Sequence, residues 1–218
     1  MARRVHDLSL SNLDDLPATC RACVFWEVAG APQGPRAGDE EAAAGRKEAW
    51  LQATQLEWGT PGKALYVDER PVAYATFAPA EHFARARSLR TSVSDDALLL
   101  ATLWVSPEHR DTGAAKTLLQ SVLRETHRRG AKALEAYGAR ATTTGRLLMT
   151  CFAPEEFLLA NGFEVLHEDA EFPLLRLDLR KTVRWQESVG QALSGVITAL
   201  SKRERAPART PALEANRR

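Results

Sequence analysis

The chain has 218 residues, enough for one sizeable domain or at most two small ones. Its 29 Lys and Arg against 28 Asp and Glu leave a formal charge of +1, a balance that does not suggest general nucleic-acid binding. No apolar run approaches the roughly 20 residues that span a bilayer. The N-terminal MARRVHDLSL lacks the long apolar core of a secretory signal. With 3 cysteines, an odd number, no disulfide framework is expected. These features predict a soluble, cytoplasmic, globular protein.

Alternation over residues 4–10 predicts a first strand. Asn12 offers an N-cap to LDDLPATCRACVFWE, with acidic residues early, and Pro17 predicts that this helix begins late or in two pieces. Residues 29–45, rich in Gly, Ala and Pro, read as a flexible connection. A second helix is expected over 40–58, with Trp50, Thr54 and Trp58 on one face. Strands at 63–68 and 72–78 flank Asp68-Glu69-Arg70-Pro71 and predict a hairpin. A polar and basic loop, 81–95, leads to a long apolar strand at 98–105.

That strand ends in a polar loop through Pro107, Arg110, Gly113 and Ala115, which opens directly into an amphipathic helix. Leu118, Leu119, Val122 and Leu123 share its stripe. His127, Arg128 and Arg129 precede the closing Gly130, as helix C-termini prefer. A strand, a turn of small residues and a helix N-terminus make an anion site, because the first helical amides lack partners and the dipole is positive there. Beyond it come a strand at 131–137, an irregular stretch at 138–153, a short helix at 154–161 closed by Gly162, and an antiparallel pair at 163–168 and 174–179. Trp185, Val189, Leu193, Val196, Ile197 and Leu200 recur at helical spacing, predicting an amphipathic helix over 184–202. It is read as docking onto the domain or a second subunit in a homodimer, in preference to an anionic membrane surface. Residues 203–218 read as a disordered basic tail.

Arg110, Gly113 and Ala115 fit Arg or Gln, two residues, Gly, one residue, Gly or Ala, with Val105 and Pro107 as lead-in. This resembles motif A of the GNAT superfamily, the GCN5-related N-acetyltransferases. Phe157-Leu158-Leu159-Ala160-Asn161-Gly162-Phe163 looks like that family's second signature, a short helix closing at Gly-Phe. The resemblance covers roughly residues 4–180. It implies an α/β (α+β) acyl-CoA N-acyltransferase fold over 1–183, with a mixed, mostly antiparallel sheet flanked by helices. The strands on either side of the motif helix would run parallel and splay apart.

The resemblance further implies acetyl-CoA, or another acyl-CoA, as co-substrate. Amides of Arg110, Asp111, Thr112, Gly113, Ala114 and Ala115 would hold the pyrophosphate, and the backbone of Leu103, Trp104 and Val105 the pantetheine arm. An acetyl group would pass to a small-molecule or peptide amine by direct attack in a ternary complex; the alternative is a non-catalytic acyl-CoA-binding or sensing module.

Several positions depart from the family pattern. Asp111 stands where Gly is common and is expected to point outward or cap the helix. Leu158 replaces the usual tyrosine acid, Cys151 the usual Asn, and strand 98–105 carries no carboxylate. Glu135 as base and Tyr137 as acid, two residues apart on one strand face, remain the catalytic candidates; the alternative reading has Glu135 reach a solvent edge or pair with an arginine and makes Tyr137 a core residue. Cys20 and Cys23 share a helical face and read as small buried residues, with Trp26 and Glu27 at the border of the acceptor site. The five histidines show no metal spacing.

Overall fold

The structure is a computed structural model that describes residues 2–140 and 151–180. The expected C-terminal helix and basic tail, and most of the irregular 138–153 stretch, lie outside the described residues.

Strand β1 (Arg3–Asp7) pairs antiparallel with β2 (Gly62–Val67), which pairs antiparallel with β3 (Arg70–Ala78). Asp68 and Glu69 alone make the β2–β3 turn, with φ of 48° and 65°. Left-handed geometry at both centre positions matches the twist of the flanking strands, so the turn is two residues long and Pro71 falls inside β3. The helix expected after Asn12 is indeed broken. A 3-10 turn at Leu13–Asp15 is separated by Pro17 from α1 (Ala18–Arg21). Asn12 does not cap through its side chain: its Oδ1 accepts the Ser9 amide and its Nδ2 donates to the Asp7 carbonyl. Helix α2 (Glu40–Glu57) matches the expected second helix and buries Leu51 and Thr54.

The long apolar strand is β4 (Ala97–Val105), and the helix after its loop is α3 (Ala114–Arg128). They are followed by β5 (Ala133–Ala139), the two-residue β6 (Ala153–Pro154), α4 (Glu155–Ala160), β7 (Glu164–His167) and β8 (Leu174–Asp178). The sheet runs β1-β2-β3-β4-β5-β8-β7, with β6 added to β5 off this path. Only β4–β5 and β5–β6 are parallel; the other pairs are antiparallel.

Each face of the sheet buries its own helices. On one, Leu118, Leu119 and Val122 of α3 and Leu158 of α4 pack on Leu65, Phe77, Leu100, Leu134 and Leu175. At about 1.5–3 kcal/mol for each large aliphatic side chain taken from water, the α3 stripe is what fixes that helix to the sheet. On the other face Phe25, Trp26, Phe83 and Phe152 cover Leu99, Ala101 and Tyr137, while Leu51 of α2 meets Leu8, Leu13, Ala64 and Tyr74. Among the described residues no helix is long and apolar enough to cross a membrane.

Candidate active site

β4 is paired along most of its length on one side only. Against β3 it runs from Ala73↔Val105 to Ala78↔Leu99, with a register shift at Thr76/Phe77 that leaves Ala101 as an extra residue on β4. A bulge of this kind bends the strand that carries the extra residue. On its other side β4 pairs with β5 only through Ala97, Leu98 and Leu99. Beyond Leu99 the two parallel strands part, and β5 takes β6 as neighbour through Gly138↔Ala153 and Ala139↔Pro154. Gly138 allows this approach: a Cβ there would stand 2.8 Å from Leu175 Cδ1 and 3.1 Å from Glu155 Cα. Among the described residues, the β5-facing backbone of Leu103, Trp104 and Val105 is therefore left without a strand partner.

The open fork leads to the start of α3. The loop turns back through Asp111 (φ 59°) and Gly113 (φ 81°), and Gly113 is the N-cap, with no side chain capping the helix. Within α3 the first internal bond is Thr117 N–H to the Gly113 carbonyl, so the amides of Ala114, Ala115 and Lys116 have no partner along the helix. The loop is tied from outside: Thr112 accepts the Arg3 guanidinium at 2.8 Å on its carbonyl and donates its hydroxyl to the His109 carbonyl. Of the two alternatives expected for Asp111, capping is not seen; the residue is exposed.

Fork and helix start share one cleft of about 620 Å³. Leu103, Trp104 and Val105 line it from β4, Arg110, Asp111 and Gly113 from the loop, and Ala114 and Ala115 from α3. Thr112 is the one member of the expected cofactor set that does not line it. Five residues outside that set do: His109, Lys116, Phe152, Pro154 and Phe157. Lys116 carried a legible signal, since a cation in the first turn of a helix opposes the dipole and needs an anion nearby. Phe152 and Pro154 carried none, because the two-residue β6 is too short to show a period.

Glu135 and Tyr137 lie elsewhere, on β5 near the base of the fork. Glu135 is fully buried, and both its oxygens are engaged: Oε1 pairs with Arg176 Nη1 at 2.7 Å, and Oε2 accepts the Ser94 amide at 2.9 Å. Arg176 also holds Asp96 at 2.8 Å, so one guanidinium joins the start of β4, the middle of β5 and β8. Tyr137 is buried and donates its hydroxyl to the Thr91 carbonyl while its ring stacks on Trp26 at 6.0 Å. Burial pushes its phenol up to about 12. It borders a separate cavity of about 320 Å³ between residues 88–91 and 169–172.

Residues 26–144, more than half of the chain, match the model of the Acetyltransferase (GNAT) family. The chain belongs to the GNAT acetyltransferase family. No curated protein matches it by sequence. Among solved structures it is similar to the PaiA N-acetyltransferase of Thermoplasma acidophilum, solved in complex with coenzyme A (15% identity, 82% of this chain, 99% of that chain, TM-score 0.54). It is also similar to an N-acetyltransferase of Staphylococcus aureus Mu50 (14% identity, 82% and 99% coverage, TM-score 0.55). A third is yncA of Salmonella typhimurium, solved with its cofactor acetyl-CoA (16% identity, 82% and 95% coverage, TM-score 0.53). At these identities the likeness concerns the fold, which is the GNAT acyl-CoA N-acyltransferase fold with its mostly antiparallel sheet flanked by helices.

Leu158, at the position where the sequence departs from the tyrosine of the GNAT pattern, is fully buried in the α3-side core and does not line the 620 Å³ cleft. On the opposite face Glu27 forms a buried pair with Lys47 at 2.5 Å, and its second oxygen, Oε2, is buried without a hydrogen-bond partner. Trp26 donates to the Cys151 carbonyl at 2.6 Å. The early helices therefore bring Trp26 to the segment that leads into the cleft wall at Phe152.

Proposed function

We propose that this chain is an N-acetyltransferase that moves an acetyl group from acetyl-CoA, or a related acyl-CoA, to the nitrogen of a small-molecule or peptide amine by direct attack in a ternary complex. The observation that carries the reading is the continuity of one cleft from the unpaired backbone of Leu103, Trp104 and Val105 to the uncapped start of α3. A pantetheine arm has amide groups to pair with such a strand edge, and a pyrophosphate suits unpartnered helical amides.

The residues present fit that ligand. A Cβ at Gly113 would find only Arg3 Nη1, at 3.9 Å, within 4 Å, so the backbone is open to close approach. Arg110 and Lys116 add positive charge along the cleft, and Asp111 is the opposing carboxylate. When bound, acetyl-CoA supplies the thioester carbonyl that the amine attacks. An amide of β4 near Leu103, Trp104 and Val105 donates to the developing oxyanion, and the fork holds the acyl group in line with the amine. Glu135 is occupied by Arg176 and the Ser94 amide, so its part in this reading is to hold the fork; Tyr137, bonded to Thr91, supports the acceptor-side wall. The chemistry would then rest on positioning and on amide donors: as the C–N bond forms and the C–S bond breaks, the amine would lose its proton to water and CoA would leave as a thiolate that takes a proton from water.

A steady-state assay of thiol release with acetyl-CoA and a panel of amines tests the proposal. Turnover on at least one amine, together with a rise in the melting temperature at CoA concentrations well above Kd, is expected. Binding without turnover on any amine would make the chain an acyl-CoA-binding or sensing module. No binding would remove the pyrophosphate assignment.

A further inference from the structure

Cys20 and Cys23 have the spacing of a redox pair, but the thiol that contacts Cys23 comes from the far end of the fold. Cys23 Sγ lies 3.4 Å from Cys151 Sγ, across 128 positions of sequence. Cys20 is buried, and desolvation pushes its thiol up to about 11. Cys23 is only partly buried, and its thiol is brought down to about 6, chiefly by the hydrogen bond with Cys151 and further by the Lys47 ammonium. Of the contacting pair, Cys23 is the partly exposed member and Cys151 the buried one.

The backbone around both sulfurs is held. Trp26, three residues after Cys23, donates its indole N–H to the Cys151 carbonyl at 2.6 Å. Phe152, next to Cys151, packs edge-on against Phe25 at 5.4 Å and Trp26 at 5.0 Å. Phe152 is also a wall of the 620 Å³ cleft. Closing the sulfurs from 3.4 Å to the roughly 2.05 Å of a disulfide requires the segments of Cys23 and Cys151 to shift toward one another, and Phe152, adjacent to Cys151, shares that backbone.

We propose that Cys23 and Cys151 are an oxidisable dithiol that a hydroperoxide converts to a disulfide, stapling the segment around Cys23 to the Phe152 wall and weakening the cleft's hold on its ligand; the last clause rests on the acyl-CoA reading above. The Cys23 thiolate attacks one peroxide oxygen, the O–O bond breaks, and the second oxygen leaves as water or an alcohol after taking a proton. The resulting sulfenic acid is attacked at sulfur by Cys151, whose thiol proton goes to the departing hydroxide as a molecule of water. The two thiols give up two electrons, and the peroxide accepts them.

The test uses the full chain at neutral pH with a small molar excess of hydrogen peroxide, followed by alkylation, trypsin and mass spectrometry without reduction. Cleavage after Arg21 separates Cys20 from Cys23, leaving Cys23 in peptide 22–36 and Cys151 in peptide 147–176. The expected product is these two peptides joined and two hydrogens lighter than their sum, released by dithiothreitol, absent in Cys23→Ser and retained in Cys20→Ser. A Cys20–Cys23 link, or sulfinic acid on Cys23 with no link, would overturn the pairing in the unmutated chain itself. Calorimetric titration with acetyl-CoA, which has no free thiol to reopen the disulfide, should give binding about threefold or more weaker in the oxidised than in the reduced protein, with no such change in peroxide-treated Cys23→Ser. Equal affinity in the two forms would overturn the staple's effect on the cleft. If neither form binds acetyl-CoA, the acyl-CoA reading fails, while the linked peptide still decides the thiol pair.

Discussion

Asp111 concentrates two costs in one residue of the cleft. Its φ of 59° puts a non-glycine residue in the left-handed region, which costs roughly 1 kcal/mol relative to glycine even though Asp tolerates it better than most. Its carboxylate also borders a cleft whose other charged neighbours are Arg110 and Lys116, an arrangement suited to an anion. Asp111→Gly should therefore bind CoA about three- to tenfold more tightly, an effect of about 1 kcal/mol. The gain should shrink as salt is raised, because the group is exposed and its field is screened. Asp111→Ala separates the two costs: it removes the charge but keeps a Cβ at positive φ, so it should gain affinity without gaining thermal stability. Titration calorimetry at low and high salt with a melting curve for each variant reads both, and unchanged affinity in both variants would show that the carboxylate faces away from the phosphates.

At the scale of elements, the fork between β4 and β5 is held at its base by Arg176, which spans Asp96, Glu135 and β8. The guanidinium draws the Asp96 carboxyl below its ordinary value, first through their hydrogen bond. Glu135→Gln leaves Arg176 short of a buried anion and should cost about 3 kcal/mol of unfolding stability, as breaking a buried pair by one partner does. The alkaline side of the rate profile should keep its midpoint, since a fork-holding group does not take the substrate's proton; a midpoint that moves with the substitution would restore Glu135 as the base. This pairing also shows what the sequence leaves illegible. The strand, loop and helix from Ala97 to Arg128 could be read because each is decided by neighbours in sequence: an apolar run, small turn residues, a helical stripe. The Asp68–Glu69 hairpin could be read for the same reason. The partners of Glu135 could not, because Arg176 and Ser94 each lie 41 positions away and only the folded sheet brings them together. β6 and the Phe152 wall are not legible because two residues carry no period, and the contact of Cys23 with Cys151 is not, because helical spacing says nothing of a thiol 128 positions on. Local chemistry thus marks the loop and the start of α3, whereas the Phe152 wall of the cleft is a product of long-range packing.

Over the whole molecule, the helix that starts at the cleft is anchored to the rest of the domain at its opposite end. Glu125, in the last turn of α3, takes Arg129 at 2.6 Å and lies 3.8 Å from Lys63 of β2. Arg129 in turn donates to the Trp58 carbonyl at 3.0 Å and lies 3.8 Å over the Trp58 ring, so one carboxylate links α3, β2 and the connection after α2. Hydrogen bonds from Arg128 and Arg129, with Lys63 nearby, hold the Glu125 carboxyl down to about 2, against an ordinary 4.5. A carboxyl depressed in the folded state binds its proton more readily when unfolded, so its stabilisation is complete above about pH 4.5 and is lost as the pH falls toward 2. Arg128 is largely exposed and its share is screened by solvent, which leaves about 1–2 kcal/mol for the cluster at neutral pH. Glu125→Gln should therefore unfold at lower urea than the unaltered chain at pH 7, and the two midpoints should converge by about pH 2–3, with Asp96 supplying part of the remaining acid sensitivity in both. A gap between the variants that persisted undiminished at the acid end would mean that Glu125 contributes through packing of its stem rather than through its charge.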